Sequence, residues 1–252
     1  MKKVLVQSVS FIALALCISP SVLAQTESNG KAAAGGAKEA TAVAVSATAS
    51  PVDLARAALT ALGGEKFKSL KSMVLRGSVD LYGPNSTQGI PGGFVLVVAG
   101  DKMRLEVDGR PAISFKQIYD GQQSYSSLPG VEFPPESKFG LSMLTRFDQP
   151  GYTVTTIPDK KKQRGFRISS AEGATDFYVD ATTGRVMTFL IPFNGYTFGT
   201  ENKKFKDVEG VLVPISFSRR IEMPQGAFFA DFSVKDIKLN NPIGDDVFVI
   251  PN

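Results

Sequence analysis

Lys203 to Phe248, KKFKDVEGVLVPISFSRRIEMPQGAFFADFSVKDIKLNNPIGDDVF, decides the fold. Two long runs, Val211 to Ile221 and Ala227 to Leu239, flank the turn signal Met223-Pro224-Gln225-Gly226. In the first run Val211, Val213, Ile215, Phe217 and Ile221 share one face, and Leu212, Pro214, Ser216, Ser218 and Arg220 share the other. A single residue, Arg219, interrupts the apolar face. The pattern predicts a long antiparallel hairpin with one buried surface.

Upstream of this hairpin the period of two recurs. Met73, Leu75, Val79 and Leu81 alternate with Arg76, Ser78 and Asp80, and Phe94 to Ala99 is a nearly continuous apolar run. Gly100-Asp101 turns into Met103, Leu105 and Val107, and further runs follow at 113–119 and around Tyr125. After an interruption, runs resume at 152–157, 166–170, 175–179, 185–191 and 196–200, where Pro192, Asn194 and Gly195 are expected to break the chain. The hairpin tip Asp159 to Gln163 is basic, a pattern expected of a solvated turn. Short connections between such runs favour a meander. The expectation is an α+β fold, a single curled antiparallel sheet (a half-barrel) of about ten strands.

Two helical segments are expected to pack on that sheet. Ser50-Pro51 supplies an N-cap and a first-turn proline, Val52, Leu54, Ala55, Ala58, Leu59 and Leu62 form a stripe, and Gly63-Gly64 ends it. A second short turn, 65–70, brings Phe67 and Leu70 toward the first strand. Between Leu128 and Gly151 the prolines at 129, 134 and 135 exclude a central strand, and Ser137 to Phe147 reads as a short amphipathic helix. This insertion, with Phe139, Leu141, Met143, Leu144 and Phe147, is either core filler or a lid over an apolar cavity.

The N-terminus reads as a processing signal. Lys2 and Lys3 precede an apolar run, Val4 to Ile18, and Val22-Leu23-Ala24 predicts cleavage between Ala24 and Gln25. Residues 1–24 are therefore expected to leave, taking Cys17 with them, since Leu16 stands where a lipidation site wants a small residue. No transmembrane anchor is expected after cleavage. Residues 25–50, rich in Ala, Gly, Ser and Thr, are expected to be a disordered tether, and 51–252 the folded domain.

Composition narrows the chemistry. The chain has 1 Cys and 0 His, so the mature protein has no disulfide, no thiolate nucleophile and no histidine-based triad or metal site. Removing Lys2 and Lys3 takes the formal +4 to +2, near balance, which gives no case for nucleic acid. No phosphate-binding glycine loop is present. Asp245-Asp246, the one carboxylate pair, falls on a strand-like segment where neighbours face opposite ways, and reads as a polar loop before Val247-Phe248-Val249. No catalytic residue, metal site or cofactor is expected, and the protein reads as a non-enzyme.

These features together resemble the LolA/LolB/RseB-type half-barrel superfamily, the envelope fold used by bacterial lipoprotein carriers. The signal, the helix before the meander, the DATTGRV turn at 180–186, FKDVEGVLVPISFSRRI, FSVKDIKLN and PIGDDVFVIP carry the resemblance, which covers 51–251. It implies a periplasmic protein whose sheet curls around helices, with acyl chains held on the concave apolar face. Burying one chain of about fourteen carbons is worth roughly 10 kcal/mol at about 0.8 kcal/mol per methylene. Candidate lipid-binding positions are Leu75, Phe94, Leu96, Leu105, Phe115, Phe217, Phe228 and Phe232 on the sheet, with Phe139, Met143 and Phe147 above them. The expected partner is a lipid or the acyl chain of a lipoprotein. The alternative is a sensor or scaffold module with a filled core that engages an envelope protein.

Overall fold

The computed structural model describes residues 44–223 and 226–251. The segment expected to be a signal peptide, residues 25–43 of the expected tether, and Pro224-Gln225 of the turn signal lie outside the described residues.

Alternating apolar positions build twelve antiparallel strands among the described residues, against the roughly ten expected. They are β1 (Ser72–Tyr82), β2 (Ile90–Ala99), β3 (Lys102–Gly109), β4 (Ile113–Tyr119), β5 (Ser124–Ser126) and β6 (Thr153–Thr156). The rest are β7 (Gln163–Ser170), β8 (Gly173–Asp180), β9 (Val186–Phe193), β10 (Tyr196–Val208), β11 (Val211–Met223) and β12 (Gly226–Leu239). The two shortest, β5 and β6, are the edges of one open sheet, ordered β5-β4-β3-β2-β1-β12-β11-β10-β9-β8-β7-β6. Two meanders, β1 to β5 and β6 to β12, are thus joined where β1 pairs with β12, Met73 opposite Leu239.

That order fixes the course of the insertion. β5 and β6 lie at opposite edges, so the chain between them must run from one side of the sheet to the other. Its helical part is shorter and tighter than expected: a 3₁₀ helix at Gly140–Thr145 replaces an amphipathic helix over 137–147. Gly140 has φ 61°, a left-handed conformation that halts a helix starting upstream, and its N–H is taken by Thr175 Oγ1 at 3.2 Å.

Strand limits differ from the expected runs in two instructive places. Pro192 does not break the chain but sits inside β9, because β8 pairs with β9 only as far as Leu190 and leaves that side without a neighbour. The break comes two residues later, at Asn194-Gly195, both with positive φ. β10 continues through the basic stretch to Val208, with register shifts around Asn202 and Lys204.

The first helix, α1 (Pro51–Leu62), is capped as its sequence predicts: the Asp53 N–H donates to Ser50 Oγ at 3.2 Å. Leu54, Ala55, Ala58, Leu59 and Leu62 are buried, while Val52, expected on the same stripe, is exposed. Gly63 ends the helix at φ 121°, and a Cβ there would lie 2.5 Å from the Gly210 carbonyl oxygen, so no other residue fits without a shift. The short α2 (Glu65–Lys68) follows, with Phe67 partly buried. Within the expected tether, residues 44–50 are in contact with the domain: the Val45 N–H donates to the Ala181 carbonyl at 2.8 Å, and Arg164 donates to the carbonyls of Ser46 and Ala47.

α1 and the 3₁₀ helix bury one side of the concave face with Phe166, Ile168, Phe177, Val179, Val186 and Ile191. The opposite, convex face carries a smaller cluster of Val74, Val97, Ile118 and Phe248. Phe248 reaches it because Asp245–Phe248 form a 3₁₀ turn, not the strand-like end expected. Lys102 holds Asp245 there at 2.6 Å and keeps its carboxyl below the usual carboxylate range.

The DATTG turn shows how local chemistry sets one hairpin. Asp180 Oδ1 accepts from the N–H and hydroxyl groups of both Thr182 and Thr183, at 2.6 to 3.0 Å. The Thr182 hydroxyl is the largest influence holding the Asp180 pKa below its usual value. A depressed folded-state pKa means the stabilisation is complete above the unfolded carboxyl value of about 3.9 and is lost as pH falls through the folded value. Asp180→Ala is expected to lower stability by about 1–2 kcal/mol at pH 7, and by less at pH 3, in urea melts. An equal loss at both pH values would disprove the assignment.

Candidate functional site

One half of the concave face is not covered by α1, and a cavity of about 430 Å³ opens there. This volume lies in the range of roughly 300–1,000 Å³ typical of small-molecule sites. Its floor is laid by register. Met73, Val98 and Met103 form one cross-strand row, and Leu75, Leu96 and Leu105 form the next. β11 and β12 contribute Phe217 and Phe232, whose rings stack at 4.9 Å.

The roof comes from the insertion. Phe133 stacks on Phe115 at 5.5 Å and tilts against Phe198 at 5.8 Å. What places it there is Gln117, a fully buried polar side chain on β4. Gln117 Nε2 donates to the Phe133 carbonyl at 2.5 Å, and its Oε1 accepts the Phe133 N–H at 3.1 Å. Farther along, Ser137 Oγ donates to the Asp101 carbonyl at 2.6 Å and Arg146 pairs with Asp101 at 2.5 Å. The insertion divides into two parts. Leu128, Val131, Phe133 and Leu141 face the cavity, while Met143, Leu144 and Phe147 are core beneath α1.

The wall takes in Leu75, Leu96, Leu105, Phe115, Phe139, Phe217, Phe228 and Phe232. Phe94, Met143 and Phe147 lie off it. Phe94 packs edge-on against Phe232 at 4.9 Å, and the other two belong to the α1 cluster. Sequence reasoning did not mark Phe133, Phe189 or Phe198, which also line the cavity. Phe198 alternates with Thr197 and Gly199 in its run, whereas Phe189 sits in a nearly continuous apolar run and Phe133 between prolines with no periodicity at all.

Charge is sparse. Of the described residues lining the cavity, Glu136, Arg219 and Arg220 alone are charged. Arg220 is exposed at the rim, paired with Glu222 at 2.5 Å and 5.2 Å from the centre of the exposed Phe229 ring. Arg219 is deeper. It contacts Glu136 of the roof, and its guanidinium lies 5.3 Å from the Phe217 ring centre and 5.1 Å from that of Phe232. Among the described residues no cluster of His, Cys, Asp and Glu could hold a metal ion.

The architecture has solved counterparts. A crystal structure of a LolA superfamily protein from Nitrosomonas europaea aligns over 98% of its own chain and 80% of this one, with a TM-score of 0.53 at 10% identity. The fold is LolA-like. A DUF1329 family protein from Desulfovibrio piger aligns over 98% of its chain and 80% of this one, with a TM-score of 0.47 at 9% identity. No family model and no curated protein matches the chain.

Proposed function

We propose that this is a non-catalytic envelope protein that binds or carries a lipid, or the acyl chain of a lipidated protein, in the concave cavity. The observation that carries this reading is the wall itself, built from Leu, Met and Phe on floor and roof and running out to a rim with an exposed Phe229. A chain entering it would leave water for hydrocarbon along its length, which is the largest affinity term available without charge. The scaffold-module alternative requires a filled core, and the cavity between sheet and insertion speaks against it. A periplasmic location rests on the n-region, apolar run and cleavage pattern of residues 1–24. Among the described residues no helix is long and apolar enough to cross a membrane.

Native mass spectrometry of protein purified from its own envelope, followed by lipid extraction, tests the proposal. The expected result is a bound species that is an amphiphile with at least one long acyl chain. Protein free of lipid that also fails to take up tetradecanol would overturn it.

A further inference from the structure

Pairing across the sheet produces one continuous row on the concave face. Ile90, Leu81, Ala230, Arg219, Thr200, Phe189, Phe177 and Phe166 stand opposite one another on successive strands from β2 to β7. Seven of these eight are uncharged, and the exception is the residue that breaks the apolar face of β11. A guanidinium among hydrocarbon is costly unless its donors are used. Those of Arg219 are used only in part. Nη2 meets the Glu136 carboxylate, while Nε is buried with no hydrogen-bond partner among the described residues.

A guanidinium presents Nε–H and an Nη–H side by side, the edge that a carboxylate binds with both oxygens. Glu136 leaves half of that edge unmet. Resting on the lipid-binding reading, we infer that the ligand is a long-chain monocarboxylate, and that Arg219 is the residue that selects it. The ligand's carboxylate takes the Nε–Nη2 edge in place of Glu136, and its chain lies along Phe217, Phe232 and the leucine row. Glu136, itself partly exposed, turns to water. It is thus a built-in competitor for the site. Among the described residues no second deep cation stands beside Arg219 to balance a dianion, and Glu136 would oppose one, so a single negative charge fits best.

The test compares tetradecanoate with tetradecanol by isothermal titration, using the full chain without residues 1–24 and its Arg219→Met and Glu136→Gln variants. Wild type is expected to bind the acid about tenfold or more tightly than the alcohol, as a charge-assisted bidentate pair allows. Arg219→Met should remove that preference while tetradecanol binding persists, and Glu136→Gln should raise affinity for the acid several-fold. The inference is overturned by equal wild-type binding of acid and alcohol, by a preference that survives Arg219→Met, or by a Glu136→Gln affinity no higher than wild type. In each of those cases retained tetradecanol binding leaves the lipid-binding reading standing. A wild-type protein that binds neither compound sinks both.

Discussion

Phe177→Ala is expected to destabilise the protein by about 3–5 kcal/mol, as for other fully buried phenylalanines. Phe177 is fully buried in the middle of β8, its ring stacked on Phe166 at 5.1 Å and tilted toward Phe189 at 6.3 Å. It stands between strands on both sides, opposite Phe166 on β7 and Phe189 on β9, with α1 and the 3₁₀ helix in the same cluster. A cavity left there cannot collapse cheaply, because hydrogen-bonded strands hold the floor. In a domain of this size the loss corresponds to a melting temperature lower by roughly 6–20 °C. Thermal and urea melts measure it, and a shift below about 4 °C would show that α1 settles into the space.

The contrast between the two halves of the sheet explains what could be read from the sequence and what could not. Alternation in Met73 to Leu81, in Met103 to Val107 and in Val211 to Ile221 reveals strands and a buried face, because side-chain direction has a period of two. It also marks Arg219 as out of place. Alternation does not say which part of a long apolar face a helix covers. That depends on tertiary contacts such as the close approach of Gly63 to Gly210, which positions the end of α1. The apolar content of the insertion places Met143 and Phe147 over the sheet with Phe139, yet past the turn at Gly140 both are buried under α1.

The roof was less legible still. Phe133 is fixed by Gln117, a buried polar residue 16 positions earlier on another element, and its neighbours Pro129, Pro134 and Pro135 signal only the absence of a strand. The distinction between filler and lid had no answer in the sequence, because the same insertion serves on both sides of the dividing line. Its proline-rich part and the start of its 3₁₀ helix, Gly140 to Ser142, line the cavity, while Met143, Leu144 and Phe147 are core.

Filling the cavity from the sheet side should abolish most ligand affinity while sparing the fold. Ala230 on β12 is the position for it. It lines the cavity in the row between Leu81 and Arg219, where a methyl group is the smallest side chain. Ala230→Trp projects an indole into space an acyl chain would use. Excluding about four methylenes removes roughly 3 kcal/mol of burial at about 0.8 kcal/mol each, a loss of about a hundredfold in affinity for tetradecanol. Stability should hold within about 1 kcal/mol of wild type, since the new ring packs against Leu81 and Phe232 without displacing a buried side chain. The native chain has 0 Trp, so the introduced indole also reports its own surroundings by fluorescence. A blue-shifted spectrum would place the ring in the cavity. Unchanged tetradecanol affinity with a blue-shifted indole would mean that the acyl chain does not lie along this part of the wall. A fold that melts well below wild type would instead mean that the space beside Arg219 is too small for the ring, contrary to the geometry described. The comparison thus separates an open binding wall from a core that only resembles one.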